Sequence, residues 1–177
     1  MLLVTALAIR LTSPGPVLVP QMRDGQGGTH FRMYKFRTMY HDRGDATGVR
    51  QTIVGDSRIT PLGRWLRRRS IDELPQLFNV LMGQMSIIGP RPHPIGMHAA
   101  GRRYDQLVPY YELRHLMKPG LSGWAQCNGL RGPTQDPELA RARINHDLAY
   151  IQNFSLLLDL RIIVRTLIRE LPYGTGS

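Results

Sequence analysis

The sequence predicts an α+β fold: one mainly helical domain carrying a small β-hairpin. Three observations carry that prediction. Apolar residues near the C terminus recur at helical spacing, two proline-led caps open helices, and a glycine-rich turn separates two short β-type runs. The chain has 177 residues, enough for one domain with a modest core. An apolar segment, 1–12, precedes the body of the domain, 13–177.

Met1–Leu11 (MLLVTALAIRL) is apolar apart from Thr5 and Arg10. As a helix it would be about 16 Å long, roughly half a bilayer core, so it cannot span. It lacks a basic start, and the apolar run before Ala6-Leu7-Ala8 is too short for a signal peptide. A half-inserting membrane element is the expectation. Ser13-Pro14-Gly15-Pro16 stops this helix. Val17–Val19 reads as extended, Asp24-Gly25-Gln26-Gly27-Gly28 as a turn, and Thr29–Met39 as a returning strand, which makes a hairpin. Lys35 and Arg37 lie two apart and would share one face of that strand.

His41–Ser57 is a polar, glycine-rich loop. Thr60 as N-cap and Pro61 at the first helical position open a helix. Leu62, Trp65 and Leu66 line one side of it, with Arg64, Arg67 and Arg68 on the others. Past the central motif, Arg102–Met117 is basic and mixed. Lys118–Gly129 holds three glycines, Trp124, Gln126 and Asn128, and reads either as a binding loop or as a structural turn with Trp124 as its plug. Asp136-Pro137-Glu138 opens a helix to about Gln152, and Ser155 caps another over Leu156–Leu171. Arg161, Arg165 and Arg169 recur at steps of four along the last helix. That pattern suits an anionic membrane surface, or equally a core-packing helix with a solvated face.

The formal net charge is +10, and only two of the 23 basic residues, Lys35 and Lys118, are lysines. The partner should be anionic: nucleic acid, acidic lipid or a phosphorylated substrate. The single cysteine, Cys127, excludes an internal disulfide framework, and no two of the six histidines have metal-ligand spacing. No P-loop, dinucleotide-binding glycine motif or nucleic-acid motif is present.

The chain is organised around Ser70–Pro92, SIDELPQLFNVLMGQMSIIGPRP. Asp72 and Glu73 stand side by side after Arg67, Arg68 and Arg69, and the stretch ends on Gly89-Pro90-Arg91-Pro92. A carboxylate pair framed by cations suits chemistry on a phosphate, with arginines holding the anion and carboxylates binding metal or attacking. The plainer reading makes Ser70 and Glu73 a capping box at a helix start, with Pro75 in the first turn.

Taken together these pieces resemble the bacterial sugar transferases of the monotopic phosphoglycosyl transferase type. The matching segments are Ser13–Pro16, Lys35-Phe36-Arg37-Thr38-Met39, Asp72–Leu77, Asn79-Val80-Leu81, Met85-Ser86, Gly89–Pro92, Pro119–Gln126 and Asn128-Gly129. A weaker match follows at Asp147, Tyr150-Ile151 and Asp159. The chain departs from the family pattern at Gln84, where many members carry an acid, and at Leu130, where arginine is common.

The resemblance implies transfer of a sugar-1-phosphate from a UDP-sugar to polyprenyl (undecaprenyl) phosphate, with UMP released. This is the first membrane step of exopolysaccharide, O-antigen or capsule assembly. It implies that Asp72 attacks the β-phosphate and carries a covalent phosphosugar, while Glu73 assists and both hold Mg2+. It implies that Lys35, Arg37, Arg67 and Arg91 bind substrate phosphates, and that Trp124, Gln126 and Asn128 belong to a sugar or nucleotide loop. It also implies amphipathic helices at the cytoplasmic face of the bacterial inner membrane and a re-entrant membrane helix. The chain begins about where that helix breaks, so residues 1–12 are read as its remnant and 13–177 as the catalytic domain. Homo-oligomerisation is left open. The competing reading is a non-catalytic basic module for membrane or nucleic acid, which an intact Asp72-Glu73 set argues against.

Overall fold

The computed structural model describes residues 1–45, 47–53 and 55–173, the side chains of 169–173 excepted. The architecture is the expected α+β. Helix α1, Leu2–Thr12, leads into strands β1, Leu18–Asp24, and β2, His30–Phe36. These pair antiparallel from Leu18 opposite Phe36 to Asp24 opposite His30. The hairpin strand is longer than Val17–Val19 suggested and runs through Pro20. Helix α2, Pro61–Arg68, starts where expected: Thr60 Oγ1 accepts the Gly63 amide at 2.9 Å. Gly63 lets this helix meet the hairpin's exit, because a Cβ there would lie 2.0 Å from the Thr38 carbonyl oxygen.

A 3₁₀ turn, Ile71–Glu73, precedes α3, Gln76–Leu81. Strand β3, Ser86–Ile88, and the two-residue strands β4, His98–Ala99, and β5, Arg102–Arg103, follow, then the short α4, Tyr104–Leu107, and a 3₁₀ segment, Tyr111–Leu116. Strand β6, Gly120–Ser122, returns parallel to β3. Helices α5, Trp124–Cys127, α6, Pro137–Gln152, and α7, Leu156–Tyr173, complete the chain. Both predicted caps form: Asp136 Oδ1 accepts from the Glu138 amide at 2.8 Å, and Ser155 Oγ from Leu158 at 3.2 Å.

Several small cores replace one large one. Ile9, Phe36 and Leu66 join α1 and α2 to the hairpin. Tyr104, Val108, Tyr111 and Ile144 pack α6 on the middle of the chain. Ile88, Tyr150 and Ile162 seat α7 on β3 and α6, and Tyr150 donates to Asp159 at 2.8 Å.

Three helices leave apolar faces bare. On α1, Ile9 and Thr5 turn inward, whereas Leu3, Val4, Leu7 and Leu11 are at least 60% exposed. Phe78 and Leu81 on α3 are exposed, as are Leu156, Leu157, Leu160, Val164, Leu167 and Ile168 on α7. Among the described residues no helix is long and apolar enough to cross a membrane.

Candidate active site

The site grows from the junction of β2, the 3₁₀ turn and the segment after β3. Lys35 is the penultimate residue of β2 and its side chain reaches Glu73 Oε1 at 2.8 Å. Arg91 Nη2 donates to the same oxygen at 2.5 Å, and its Nη1 to Oε2 at 3.4 Å. Burial pushes the Glu73 carboxyl up, but Arg91 and then Lys35 overcome it and hold it well below the usual range. Lys35 is itself held down by burial, with Glu73 pulling the other way. Asp72 is buried at 7% exposure; burial raises its pKa, while Lys35, Arg67 and Arg91 oppose that rise. Arg67 donates to Thr52 Oγ1 at 3.2 Å.

The five predicted charges converge. Lys35, Arg67, Asp72, Glu73 and Arg91 all line one cavity of about 490 Å³. Arg91 is delivered there by a pinned backbone. The Gly89 amide donates to Ser122 O and the Gly120 amide to Pro90 O, both at 2.9 Å, and Arg114 Nη2 donates to Arg91 O at 2.6 Å. The contact needs bare backbone on both sides: a Cβ on Gly120 would sit 2.1 Å from the Gly89 nitrogen. Arg114 is in turn held by Asp147 Oδ2 at 2.8 Å in a closed pair.

Three expectations meet a different arrangement in the structure. First, Ser70 and Glu73 form no capping box. Ser70 adopts the left-handed conformation, φ 53°, without a side-chain cap, and the Glu73 carboxylate turns to Lys35 and Arg91 instead. The dyad thus sits on a 3₁₀ turn, with Pro75 preceding α3 as its N-cap residue. A non-glycine residue at positive φ costs backbone energy, and here it stands at the start of the turn, two residues before Asp72.

Second, Arg37 borders the cavity, but its guanidinium is turned to the backbone. Its guanidinium donates to the carbonyls of Pro16 at 2.7 Å, Ser13 at 2.9 Å, Gly15 and Pro14. It clamps the turn that ends α1, because four clustered carbonyls match its fork of donors.

Third, Trp124, Gln126 and Asn128 do not line the cavity. Trp124 packs under Arg165, whose guanidinium lies 5.2 Å from the indole centroid, and Arg165 also donates to Asn128 Oδ1 at 3.2 Å. Gln126 is buried and donates to the Leu121 carbonyl at 3.3 Å. The loop is a seat for α7, so the structural-turn reading holds. Of the arginine stripe, Arg161 and Arg165 are exposed on α7, whereas the side chain of Arg169 lies outside the described residues.

The cavity also holds residues that sequence reasoning missed: Arg23, His93 and Arg143. The one available signal was the position of His93 directly after the Gly-Pro-Arg-Pro turn. Nothing local marked Arg23 or Arg143.

Two acids suit a divalent cation chemically. Asp72 and Glu73 offer the hard oxygen ligands that such an ion takes. Among the described residues no group of three or more metal-ligating side chains gathers. Magnesium would need only one or two carboxylates, with phosphate oxygens and water filling the rest of its shell.

The family profile described as "Bacterial sugar transferase" matches residues 1–171. The "Exopolysaccharide production protein PSS" of Rhizobium leguminosarum bv. phaseoli is 54% identical over 99% of this chain and 88% of its own length. Proteins named "UDP-glucose:undecaprenyl-phosphate glucose-1-phosphate transferase" from Caulobacter vibrioides and Xanthomonas campestris pv. campestris are 52% and 47% identical. They are matched over 94% and 99% of this chain. The chain spans 61% and 36% of those two proteins. A profile match over almost the whole chain, with a relative covered nearly end to end, means that this protein belongs to the bacterial sugar transferase family.

Proposed function

We propose that this protein transfers a sugar-1-phosphate from a UDP-sugar to polyprenyl phosphate through a covalent intermediate on Asp72. The observation that carries the reading is the convergence of Asp72, Glu73, Lys35, Arg67 and Arg91 on one cavity. A carboxylate attacks an anionic diphosphate only when the charge between them is neutralised, and three cations stand ready to do so. The Asp72 carboxylate oxygen bonds to the β-phosphorus, the bridging P–O bond breaks, and UMP leaves with that oxygen. A phosphate oxygen of the polyprenyl acceptor then attacks the same phosphorus, and the Asp72 carboxylate departs. Lys35 and Arg91 keep Glu73 ionised and fix its position beside the nucleophile. Asp72 and Glu73 would hold magnesium, which supplies further neutralisation of phosphate charge when bound.

The membrane part of the proposal rests on the bare apolar faces of α1, α3 and α7, which suit a lipid interface. The protein would sit at the cytoplasmic face of the bacterial inner membrane, where UDP-sugars are made. Removing residues 1–12 should reduce co-sedimentation with anionic liposomes, and equal binding would exclude α1 as the anchor.

The deciding assay mixes the protein with undecaprenyl phosphate and candidate UDP-sugars, UDP-glucose first because two relatives are named for it, and measures UMP. With donor alone, mass spectrometry should find a phosphosugar on Asp72. No UMP from any donor with lipid present would refute the proposal.

A further inference from the structure

Three enclosed donors in the cavity wall lack acceptors. Arg23 Nε, His93 Nε2 and Arg143 Nε are buried without a hydrogen-bond partner, and all three residues line the cavity that contains Asp72. Unmet atoms also occur on Gln76, His115 and Gln126, but none of those residues borders it. The backbone brings the three together. Arg23 bridges Pro94 antiparallel, and the Asp24 amide donates to the His93 carbonyl at 3.1 Å. Arg143 arrives from α6 and donates through Nη2 to the carbonyl of Gly132, another residue of the cavity wall.

The hydrogen-bond chain fixes the character of His93. Arg114 Nη1 donates to the Tyr111 hydroxyl oxygen at 3.4 Å, and a guanidinium can only donate. We assign the hydroxyl proton to His93 Nδ1, 3.0 Å away, the acceptor within reach of this buried hydroxyl among the described residues. Nδ1 accepts, so the ring proton sits on Nε2. Burial first, then Arg114, Arg143, Arg23 and Arg91, hold the imidazole well below its usual pKa, which keeps it neutral at pH 7. All three unmet atoms are therefore N–H donors, set among guanidinium charges. Such a wall repels cations and matches a group that offers only acceptors and carries negative charge.

We propose that Arg23, His93 and Arg143 form a second phosphoryl-binding subsite, separate from the Lys35–Glu73–Arg91 cluster. This rests on the transferase reading, which requires phosphates beyond the one attacked. Two sources share that chemistry: the nucleotide phosphate that leaves, and the phosphate headgroup of the lipid acceptor.

The test measures binding of UMP, and separately of undecaprenyl phosphate in detergent, to wild type, His93→Phe and Arg143→Lys. The lysine keeps the charge but removes the Nε–H. Thermal unfolding checks that each variant folds, and Arg23→Lys replaces any that does not. In both variants one ligand should bind about tenfold or more weakly, because a charged acceptor loses its donor. Weaker UMP binding alone assigns the subsite to the nucleotide, and weaker lipid binding alone assigns it to the acceptor. Folded variants that bind both ligands with wild-type affinity overturn the subsite. Failure of wild type to bind either ligand overturns the transferase reading instead.

Discussion

Two buried carboxylates, Glu73 and Asp147, meet arginine in this molecule under different terms. Asp147 is closed: it and Arg114 are each 2% exposed, and the remaining Arg114 donors go to Tyr111 and the Arg91 carbonyl. Glu73 takes Lys35 from one element and Arg91 from another, and Arg91 keeps 37% of its side chain exposed beside a cavity. The first pair spends its hydrogen bonds inside the protein, so it acts as a strut. The second has cations that can share their donors with an arriving anion. Similar ionic chemistry thus serves rigidity in one place and exchange in the other.

The largest expected effect lies at the exchangeable cluster. Asp72→Asn should lower UMP release at least about a thousandfold, since it removes the attacking oxygen. Near-normal turnover would place the covalent step on another residue. At the strut the loss should appear in folding. Asp147→Asn leaves the Arg114 charge buried without its counter-ion and should cost about 3 kcal/mol or more in urea unfolding. Glu73→Gln should cost less stability than that while slowing turnover strongly. If both variants lose stability alike, the contrast between strut and exchange site fails.

A pH series sharpens the same contrast. Glu73 is held below its unfolded value, so its contribution to stability is full above about pH 4.5 and fades as pH falls through the folded value. Asp72 is raised and runs the opposite way, which makes Glu73→Gln the cleaner probe. Wild type should lose more stability than Glu73→Gln between about pH 5 and pH 3. Parallel curves would mean that Glu73 is not ion-paired in solution.

Two smaller effects concern residues reassigned by the structure. Arg37→Met should destabilise the protein by about 1–3 kcal/mol through the unclamped carbonyls of the Ser13–Pro16 turn, with KM for the UDP-sugar little changed. A large rise in that KM would restore Arg37 to the phosphates. Trp124→Ala should change kcat/KM least of all and lower Tm by a few degrees, since Trp124 supports α7. A selective loss of donor affinity would reopen the loop as a sugar site.

The sequence was most legible where a local rule acts alone. Thr60-Pro61, Asp136-Pro137 and Ser155 each announced a helix start, and the glycine cluster after Asp24 announced the hairpin. The convergence of Lys35, Arg67, Asp72 and Arg91 followed from charge and motif order. What stayed hidden depends on contacts between distant segments. The parallel β3–β6 pair joins three residues to three others more than thirty positions away, too short to show a period. The Arg114–Asp147 pair spans 33 positions on unrelated elements. Ser70 looked like a cap because its side chain can cap, yet the backbone there turns left-handed to seat the dyad. Arg37 and Trp124 were ambiguous, because a cation near a motif and an aromatic in a glycine-rich loop suit support as well as binding.

The scarcity of lysine has a practical consequence. Reductive methylation with a carbon-13 reagent would install only two side-chain reporters, one on the exposed Lys118 and one on Lys35 against Glu73. The first serves as an internal standard for bulk solvent. The second would give a resonance whose position reports the ionic surroundings of the cavity, so nucleotide and lipid occupancy could be followed by NMR without altering a single codon.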